Sequence, residues 1–349
     1  MPHTTSTAKG VISLADNRIL LAHGSGGKLS HELVKEFFLP VFDNPILNRL
    51  DDRAEVEVAG VKLAYTTDSF VVNPLFFEGG DIGKLAVCGT VNDLAMGGAE
   101  PLFLSVGFII EEGFSLDMLR DIVTSMKKTA DEAGVKIVCG DTKVVEKGSA
   151  DQIFINTSGI GAVPEGVCIS GDLAKPGDKV IINGFIGDHG IAVMAKRQGL
   201  SFKDRIASDC APLNGLVKKM MEVSKDIHVL RDPTRGGVAT TLNEIAAQSS
   251  VGIVLNESAI PVREEVQAAC EILGFDPLYV ANEGKLLALV PAEIADRVVD
   301  AMKHHPYGRE AVIIGEITAD HPGKVVLATG IGGRRIVDML VGEQLPRIC

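Results

Sequence analysis

The sequence has 349 residues with a formal net charge of −12, and 46% of its residues are hydrophobic. This length suggests two domains, and the 38 glycines with only 5% aromatic residues are typical of an α/β protein with many tight turns. The acidic balance argues against a nucleic acid partner. No apolar run approaches the roughly 20 residues that span a bilayer, and residues 1–10 lack a signal-peptide core. We therefore expect a cytoplasmic protein without a membrane partner.

The first half alternates strand and helix patterns after a polar leader. Residues 1–17 are expected to be flexible, as chain ends often are. Apolar spacing and turn residues then predict a β-rich run at 63–72, a helix at 81–96, a strand at 102–110, a helix at 116–134 and a strand at 135–140. These elements predict a first α/β domain over residues 18–165.

A second periodic region follows a stretch rich in Gly, Pro and Asp at 162–178, which predicts a domain boundary. We expect strands at 179–184, 251–256 and 285–290, with helices at 187–198 and 262–274. The second α/β domain is predicted to cover residues 166–335. Residues 336–349 lack periodicity and contain Pro346, so we expect them to form a mobile tail.

The cysteines are consistent with a reducing compartment, because the sequence has no CxxC pair and no zinc-ligand spacing. Cys88, Cys139 and Cys270 lie in apolar contexts and are predicted to be buried. Cys349 differs, because it ends the printed sequence on a segment that could reach into a pocket. It could act as a covalent carrier, and a residue placed there by chance is an equally good interpretation.

The run HGSGGK at residues 23–28 is a candidate phosphate loop. Its glycines, Gly24, Gly26 and Gly27, would let backbone N–H groups approach phosphate oxygens, and Lys28 adds positive charge. The run does not match the P-loop spacing. A plain turn is the alternative interpretation.

Four aspartates lie next to apolar runs, where a carboxylate needs a partner: Asp68, Asp93, Asp141 and Asp232. If they converge, they could hold Mg²⁺ on a bound triphosphate. Taken singly, each could instead cap a helix or a turn. Lys143 and Arg235 follow two of these acids and could contact a phosphate or form ordinary surface ion pairs.

The motif NEGK at 282–285 precedes an apolar strand. Glu283 in a partly buried turn could have a raised pKa and act as a general base, although a solvated turn glutamate is the simpler alternative. His189 in GDHG is more typical of a turn than of a catalytic site. Neither residue is decisive by itself.

Taken together, the motifs resemble the hydrogenase maturation factor HypE family of the aminoimidazole ribonucleotide synthetase-like (PurM-like) superfamily. The resemblance covers residues 20–349 and rests on these runs: HGSGG, TTDSFVV, PLFFEGGDIGKLAVCGTVNDLAMGGAEP, GDTKVV, GDHG, RDPTRGG, NEGK and PRIC. PRIC is the most specific of them, because in that family it supplies the modified thiol.

The resemblance implies two α/β domains, with the N-terminal domains pairing in a homodimer whose strands form a shared barrel near ATP. It implies that the four aspartates serve Mg²⁺ and nucleotide. Further nucleotide contacts are expected at the glycines of the 23–28 loop and at Lys84, Asn92, Thr142, Arg235 and Gly236. Lys143 and Glu283 match positions that act on a carboxamide, and His23 matches a position near the reacting group.

The implied reaction starts when a carbamoyltransferase, HypF, places a carbamoyl group on the sulfur of Cys349. ATP-dependent dehydration then gives a thiocyanate, which donates cyanide to the iron of the [NiFe]-hydrogenase cofactor on a HypC–HypD scaffold. One alternative is a small-molecule enzyme of the superfamily, such as a selenophosphate synthetase, although residues 23–28 lack the cysteine expected there. Another is a nucleotide-binding scaffold without catalysis.

Overall fold

The computed structural model describes residues 18–199, 206–342, 345 and 347–349, which form an α/β structure with two main sheets. The first sheet has the order β1-β2-β7-β5-β6, and only β5 and β6 pair in parallel. Its strands are β1 (Ala54–Val58), β2 (Val61–Phe70), β5 (Glu100–Glu111), β6 (Lys136–Val145) and β7 (Ile153–Ala162). Two short strands, β3 (Phe76–Phe77) and β4 (Gly80–Asp81), form a separate hairpin.

Two helices, α3 (Ile82–Met96) and α4 (Leu116–Ala133), have well-defined ends. The Asp81 side chain caps α3 by accepting from the backbone N–H groups of Gly83 and Lys84. Gly134 ends α4 in the left-handed conformation, with a φ of 74°. The predicted helices at 81–96 and 116–134 and the strand at 102–110 are therefore confirmed.

Strand β6 is the exposed edge of the first sheet. Nearly all of its residues are exposed, although their apolar character is typical of a buried strand. Cys139 lies on this strand and is exposed, so its predicted burial is wrong. Cys88 and Cys270 are buried, as predicted. The apolar sequence around Cys139 predicted a buried residue, but β6 is an edge strand that a single chain leaves uncovered.

The second sheet contains seven strands in the order β14-β13-β10-β12-β8-β11-β9. These are β8 (Lys179–Ile182), β9 (Val229–Arg231), β10 (Gly252–Asn256), β11 (Leu287–Val290), β12 (Val312–Thr318), β13 (Lys324–Ala328) and β14 (Arg334–Val337). The accompanying helices are α5 (Asp188–Arg197), α6 (Asn214–Val223), α7 (Gly237–Gln248), α8 (Glu264–Leu273) and α9 (Ala292–Lys303). All strands and helices predicted within residues 166–335 are present.

Residues 18–53 lead into the first sheet through two short helices, α1 (Lys28–Leu33) and α2 (Leu39–Phe42), joined by a π-helical turn. Among the described residues, no helix is long and apolar enough to cross a membrane.

The two halves share apolar cores and a buried ion-pair network. One core combines Leu94 of α3 with Leu286 and Met220 from the second half. Arg231 of β9 bonds to Asp52 at 2.7 Å and to Glu244 of α7 at 2.8 Å. Because buried ion pairs need fixed geometry, this network holds the end of β9 against α7 and the segment that precedes β1.

Candidate active site

Three of the predicted acids meet between the two halves. Asp68 lies near the end of β2, Asp93 lies in α3, and Asp232 directly follows β9. Burial raises the pKa of Asp93 well above its usual value, and repulsion from Asp232 and Asp68 adds to this shift. Burial and the charge of Asp52 raise the pKa of Asp232 to about 8. The Thr66 hydroxyl donates to Asp93 Oδ2 at 2.8 Å and so fixes its orientation.

Glu283 lies in the same region and is only 3% exposed. Its backbone N–H donates to Asp209 Oδ1 at 3.0 Å, and Asp209 in turn faces Lys285 Nζ at 3.0 Å. Its Oε1 is buried, and the described residues offer it no hydrogen-bond partner. Burial raises the pKa of Glu283 well above its usual value, with added repulsion from Cys210 and Asp232. The carboxyl group is thus poised to exchange a proton with a bound molecule.

The glycine loop packs over this acidic region against the turn that carries Arg235. The Gly24 carbonyl accepts from Arg235 Nη1 at 2.7 Å. Gly26 has a φ of 78°, and a Cβ there would lie 2.6 Å from Arg235 Cβ. A Cβ at Gly27 would lie 2.5 Å from the Leu340 carbonyl oxygen. Glycine is therefore required at both positions by close contact within the chain.

His23 begins the glycine loop, and Gly236 follows Arg235. His23 is buried; its Nδ1 accepts from the Leu20 backbone N–H at 2.9 Å, and its Nε2 has no partner among the described residues. Gly236 caps α7 with a φ of 78°, and a Cβ there would lie 2.3 Å from Thr240 Oγ1. A buried ring nitrogen without a described partner therefore lies at the start of the glycine loop.

The end of the chain enters this pocket. The Val71 backbone N–H donates to the Cys349 carbonyl at 3.0 Å, and His189 Nε2 lies 2.8 Å from the Ile348 carbonyl oxygen. Burial raises the pKa of the Cys349 thiol to about 12; Arg235 opposes this rise, whereas Glu283 adds to it. The thiol therefore lies within the electrostatic reach of both side chains.

The sequence of this chain is similar to those of known proteins over nearly its whole length. The AIR synthase related protein family matches residues 50–163 with its N-terminal domain and residues 175–328 with its C-terminal domain. Carbamoyl dehydratase HypE of Azotobacter vinelandii is 53% identical over 97% of this chain and 99% of its own length. The chain belongs to the HypE family. HypE of Escherichia coli K12 is 44% identical over 95% of this chain and all of its own length.

Two solved HypE structures closely resemble the structure of this chain. A HypE–HypF complex has a chain with a TM-score of 0.84, 55% identity, and coverage of 88% of this chain and 99% of that one. A HypE structure in complex with ATP has a TM-score of 0.81 and 52% identity, covering 95% of this chain and all of that one. The two-domain fold implied by the sequence motifs is thus confirmed.

Three residues expected at the HypE site lie elsewhere in the single chain. Asp141, Thr142 and Lys143 are on the exposed edge strand β6, where the side chains of Asp141 and Lys143 are 70% and 67% exposed. Lys143 Nζ pairs with Asp141 at 2.6 Å, which lowers the pKa of Asp141. Their roles stay predictions, because no described residue of the pocket contacts them.

Two further predicted nucleotide contacts have other partners in the structure. Asn92 donates from Nδ2 to the carbonyls of Ala211 and Glu283 and accepts from the Leu213 N–H, so its amide joins the two halves. Lys84 Nζ donates to the Gly79 carbonyl at 2.9 Å and lines a cavity of about 370 Å³.

The acids suit a divalent cation that is shared with a ligand. Within the described ranges, no group of three or more His, Cys, Asp and Glu side chains lies close enough to hold a metal ion alone. Mg²⁺ commonly uses one or two carboxylates together with substrate phosphates, so this arrangement fits it. The mutual repulsion among Asp68, Asp93 and Asp232 would be relieved by such a cation.

The sequence argument missed Thr66 and Asp209 of this pocket and interpreted His189 as a turn residue. Thr66 orients Asp93, Asp209 holds the Glu283 backbone, and His189 holds the Ile348 carbonyl. The His189 ring is fully buried, although GDHG alone indicates only a turn. No local signal in the sequence marks Thr66 or Asp209.

Proposed function

We propose that this protein catalyses ATP-dependent dehydration of a carboxamide on the sulfur of Cys349, forming a thiocyanate for hydrogenase maturation. The observation that carries the proposal is the position of the Cys349 thiol beside Arg235 and Glu283 in an acidic pocket. A relative at 53% identity is named carbamoyl dehydratase HypE, and a HypE structure was solved with ATP. Both findings support the same chemistry here.

The reaction replaces a poor leaving group by a good one. The carboxamide oxygen of Cys349–S–C(=O)NH₂ attacks the γ-phosphorus of ATP, and the bond from that phosphorus to the bridging oxygen breaks, releasing ADP. One N–H proton leaves as the imidate phosphate forms. Loss of the second N–H proton and of inorganic phosphate then gives S–C≡N. The overall change removes one water from the carboxamide and hydrolyses ATP.

Glu283 is the base that we assign to the N–H protons. Its raised pKa comes from burial and from nearby negative groups, including Asp232. Burial is the main cause of the shift, and a cation bound at the three aspartates would remove their repulsion and so enlarge the ionised fraction that can accept a proton. The Arg235 guanidinium stabilises negative charge that develops on the carboxamide oxygen. His23 Nε2 is a second polar group available to the bound carboxamide.

Asp68, Asp93 and Asp232 are the residues that we assign to Mg²⁺ on the nucleotide. The cation would supply positive charge that links these carboxylates to phosphate oxygens. The glycine loop at 23–28 and the turn at Arg235 and Gly236 would close over the nucleotide. Lys84 and Asn92 support the surrounding walls through the backbone contacts described above.

We also assign the protein to a homodimer formed through the first sheet. The edge strand β6 and its neighbours expose apolar side chains that a single soluble chain seldom leaves uncovered. They include Tyr65, Phe103, Ile109, Val138 and Val144. Pairing of two such sheets would bring Asp141, Thr142 and Lys143 of one chain toward the pocket of the other.

The partners follow from the reaction and from the family. A carbamoyl group must reach Cys349 from a donor enzyme, and a HypE–HypF complex among the solved relatives supports HypF in that role. We expect a HypC–HypD scaffold to accept the cyano group. This assignment places the protein in the cytoplasm, where these maturation steps would occur.

Mass spectrometry of the intact protein and its peptides tests the proposal. The protein is incubated with HypF and carbamoyl phosphate and then given Mg-ATP. We expect the peptide containing Cys349 to gain a carbamoyl group and then to lose one water only when ATP is present. Cys168→Ser should behave as wild type because Cys168 is exposed and lies outside β6 and the pocket, whereas Cys349→Ser should stay unmodified. ATP hydrolysis with no change at Cys349 would overturn the proposal and favour a small-molecule substrate.

A further inference from the structure

The turn that carries Glu283 lies outside every helix and strand. Residues 281–286 precede β11, so neither helical nor sheet hydrogen bonds order their backbone. A catalytic group must be held within about 0.5 Å of its productive geometry, and irregular backbone holds a side chain less precisely than a helix or a strand does. The position of Glu283 therefore depends on contacts from other parts of the chain.

Side chains from three distant segments bond to the backbone of this turn. Asp209 Oδ1 accepts from the Glu283 N–H at 3.0 Å. Asn92 Nδ2 donates to the Glu283 carbonyl at 3.4 Å. Asn183 Nδ2 donates to the Gly284 carbonyl at 3.1 Å. These bonds take the place of the ladder that a strand would supply, and they hold the backbone on both sides of the Glu283 side chain.

Asp209 differs from the two asparagines because it is charged. Its side chain is 4% exposed, and its Oδ2 lies 3.0 Å from Lys285 Nζ. Burial raises the pKa of Asp209, but the charges of Lys285 and His189 outweigh burial, so the pKa lies below its ordinary value. An ionised acceptor forms a hydrogen bond roughly twice as strong as a neutral one. Among these three side chains, Asp209 is therefore the strongest hold on Glu283.

The segment of Asp209 also packs directly against the turn. A Cβ at Gly284 would lie 1.8 Å from the Asp209 carbonyl oxygen, so only glycine fits there. The Ala211 N–H faces the Glu283 carbonyl at 3.5 Å. Lys285 belongs to the same turn, and its Nζ lies 3.3 Å from the Gly284 carbonyl. The Asp209 carboxylate thus binds the turn at two places, the Glu283 N–H and the Lys285 side chain.

We propose that Asp209 is the positioning residue for Glu283, and that Lys285 holds the Asp209 carboxylate in place. Asp209 acts through the Glu283 backbone and takes no proton itself. It fixes the point from which the Glu283 side chain extends toward the N–H protons of the carboxamide. This inference rests on the proposed function, because it assigns Asp209 a part in the same dehydration step.

Two double variants of equal charge test the hydrogen bond to Glu283. Asp209→Asn with Lys285→Met keeps an acceptor for the Glu283 N–H, whereas Asp209→Leu with Lys285→Met removes it at similar volume. Neither leaves a buried charge unpaired, so both should fold, which thermal unfolding checks. We expect the Asn variant to dehydrate carbamoylated Cys349 within about threefold of the wild-type rate. The Leu variant should be slower by about 100-fold, because a base displaced by 1 Å loses this much. Equal rates of the two variants would overturn the proposal.

The same comparison in a Glu283→Gln background separates positioning from general support of the pocket. Without the base, changing Asn to Leu at residue 209 should cause no further loss of rate. If Leu slows the Glu283→Gln protein as much as it slows the protein with Glu283, the role of Asp209 is structural and the proposal fails. The concentration of Mg-ATP that gives half the maximum rate should stay the same in all variants. A rise in that concentration without a lower maximum rate would place Asp209 at the nucleotide and would also refute the proposal.

A small carboxylate should replace the missing side chain. A cavity of about 370 Å³ opens to solvent and is lined by Asp209, Gly284 and Lys285. Asp209→Ala leaves Lys285 unpaired beside this cavity, so formate can pair with the lysine and accept from the Glu283 N–H. Added formate should accelerate dehydration by Asp209→Ala about tenfold, with saturation. The Leu and Met double variant should not respond, because it lacks the lysine.

Glu310→Ala is the matched control, because it removes an exposed carboxylate from the lining of the same cavity. It should dehydrate Cys349 at the wild-type rate with or without formate. Formate that has no effect on Asp209→Ala, or the same effect on Glu310→Ala, would exclude an acceptor role for Asp209.

Failure of this inference differs from failure of the proposed function. If wild type forms no thiocyanate on Cys349, the proposed function fails before any variant is compared. If wild type forms the thiocyanate and the Asn and Leu double variants have equal rates, dehydration stands and only the positioning role of Asp209 is lost.

Discussion

Arg235 and Cys349 influence each other at the centre of the pocket. The largest contribution to the raised pKa of Arg235 is its attraction to Cys349, and Arg235 in turn opposes the rise of the thiol pKa. The Arg235 side chain also donates to the Gly24 carbonyl at 2.7 Å. One guanidinium therefore connects the glycine loop to the group that carries the substrate.

Replacing Arg235 tests whether this charge serves the reaction. Arg235→Gln should slow dehydration of carbamoylated Cys349 by about 100-fold, because one positive donor to the developing oxyanion is lost. Arg235→Lys should lose less activity, because it keeps the positive charge. It should still be slower than wild type, because lysine cannot reproduce the bond to the Gly24 carbonyl. Loss of one water is followed in a single turnover by mass spectrometry.

The control for this change is Arg120→Gln, which removes an exposed arginine from α4. It should have no effect on dehydration. Arg235 would be excluded from the reaction if Arg235→Gln dehydrated Cys349 at the wild-type rate. All variants must carry the same amount of carbamoyl group on Cys349 before ATP is added. A slower dehydration rate then cannot result from slower carbamoylation by HypF.

The sequence predicted the elements well, because local patterns determine them. The Asp81 cap and the Gly134 stop are local signals, and both mark the ends of their helices. The acids Asp68, Asp93 and Asp232 could be proposed only as a recurring pattern, since their convergence depends on how α3, β2 and β9 pack. Only the packed structure shows that these three acids lie close together.

Contacts between distant residues were beyond sequence reasoning. His189 and the Ile348 carbonyl are separated by 159 positions, and Asp151 and Arg347 by 196. No period or spacing connects such pairs. The exposure of Cys139 was mispredicted for a related reason: a strand looks apolar whether the chain itself or a second molecule covers its edge.

Replacing Glu283 should lower the dehydration activity but raise the stability of the protein. Glu283→Gln removes the proposed base and should slow dehydration by about 10²–10⁴-fold. At neutral pH the raised pKa means that folding takes up a proton that the unfolded chain does not hold. Gln lacks this cost, so the free energy of unfolding should rise by about 1 kcal/mol or more. Denaturant unfolding and single-turnover mass spectrometry measure the two effects.

Glu165→Gln is the matched control for Glu283, because the Glu165 side chain is exposed. Neither its unfolding free energy nor its dehydration rate should change. A Glu283→Gln protein that is less stable than wild type would indicate that the carboxyl group is a structural element. Full dehydration activity in this variant would remove Glu283 from the mechanism.

The raised pKa of Asp232 predicts how stability depends on pH. Its pKa is about 8 in the folded protein against an ordinary aspartate value of 3.8, so between pH 3.8 and 8 the folded state holds a proton that the unfolded state has lost. Folded stability should therefore fall as pH rises through this window. Asp232→Asn should be more stable than wild type at pH 8, and its advantage should shrink toward about pH 4.

Bound Mg-nucleotide should make wild type more stable than Asp232→Asn. Because protons compete for the same carboxylates, the rise in melting temperature that Mg-ATP gives wild type should be larger at pH 8 than at pH 6. Asp232→Asn should lose most of this rise, whereas the loop variant Asp172→Asn should keep it. A pH-independent stabilisation that is equal in all three proteins would show that Asp232 takes no part in binding.

Mixed dimers test whether Lys143 acts across the proposed subunit interface. In the single chain, Lys143 is exposed on β6 and Glu283 is buried in the pocket. Lys143→Ala and Glu283→Gln should each be nearly inactive alone. If Lys143 serves the pocket of the second subunit, a mixed dimer holds one site in which both residues are intact. After subunit exchange at equal amounts, about a quarter of the wild-type sites should be active.

The identity of the modified chain makes this result specific. Half of the dimers are mixed and one of their two sites is intact, so the thiocyanate should appear only on Cys349 of the Lys143→Ala chain, which retains Glu283. Intact-protein masses tell the chains apart, because Lys143→Ala and Glu283→Gln change the mass of the chain that carries the thiocyanate by different amounts. If Lys143 acted within its own chain, mixing would restore nothing, because each pocket would lack one of the two residues. A mixture of Lys143→Ala with Lys143→Gln should likewise stay inactive, since neither chain can donate the lysine.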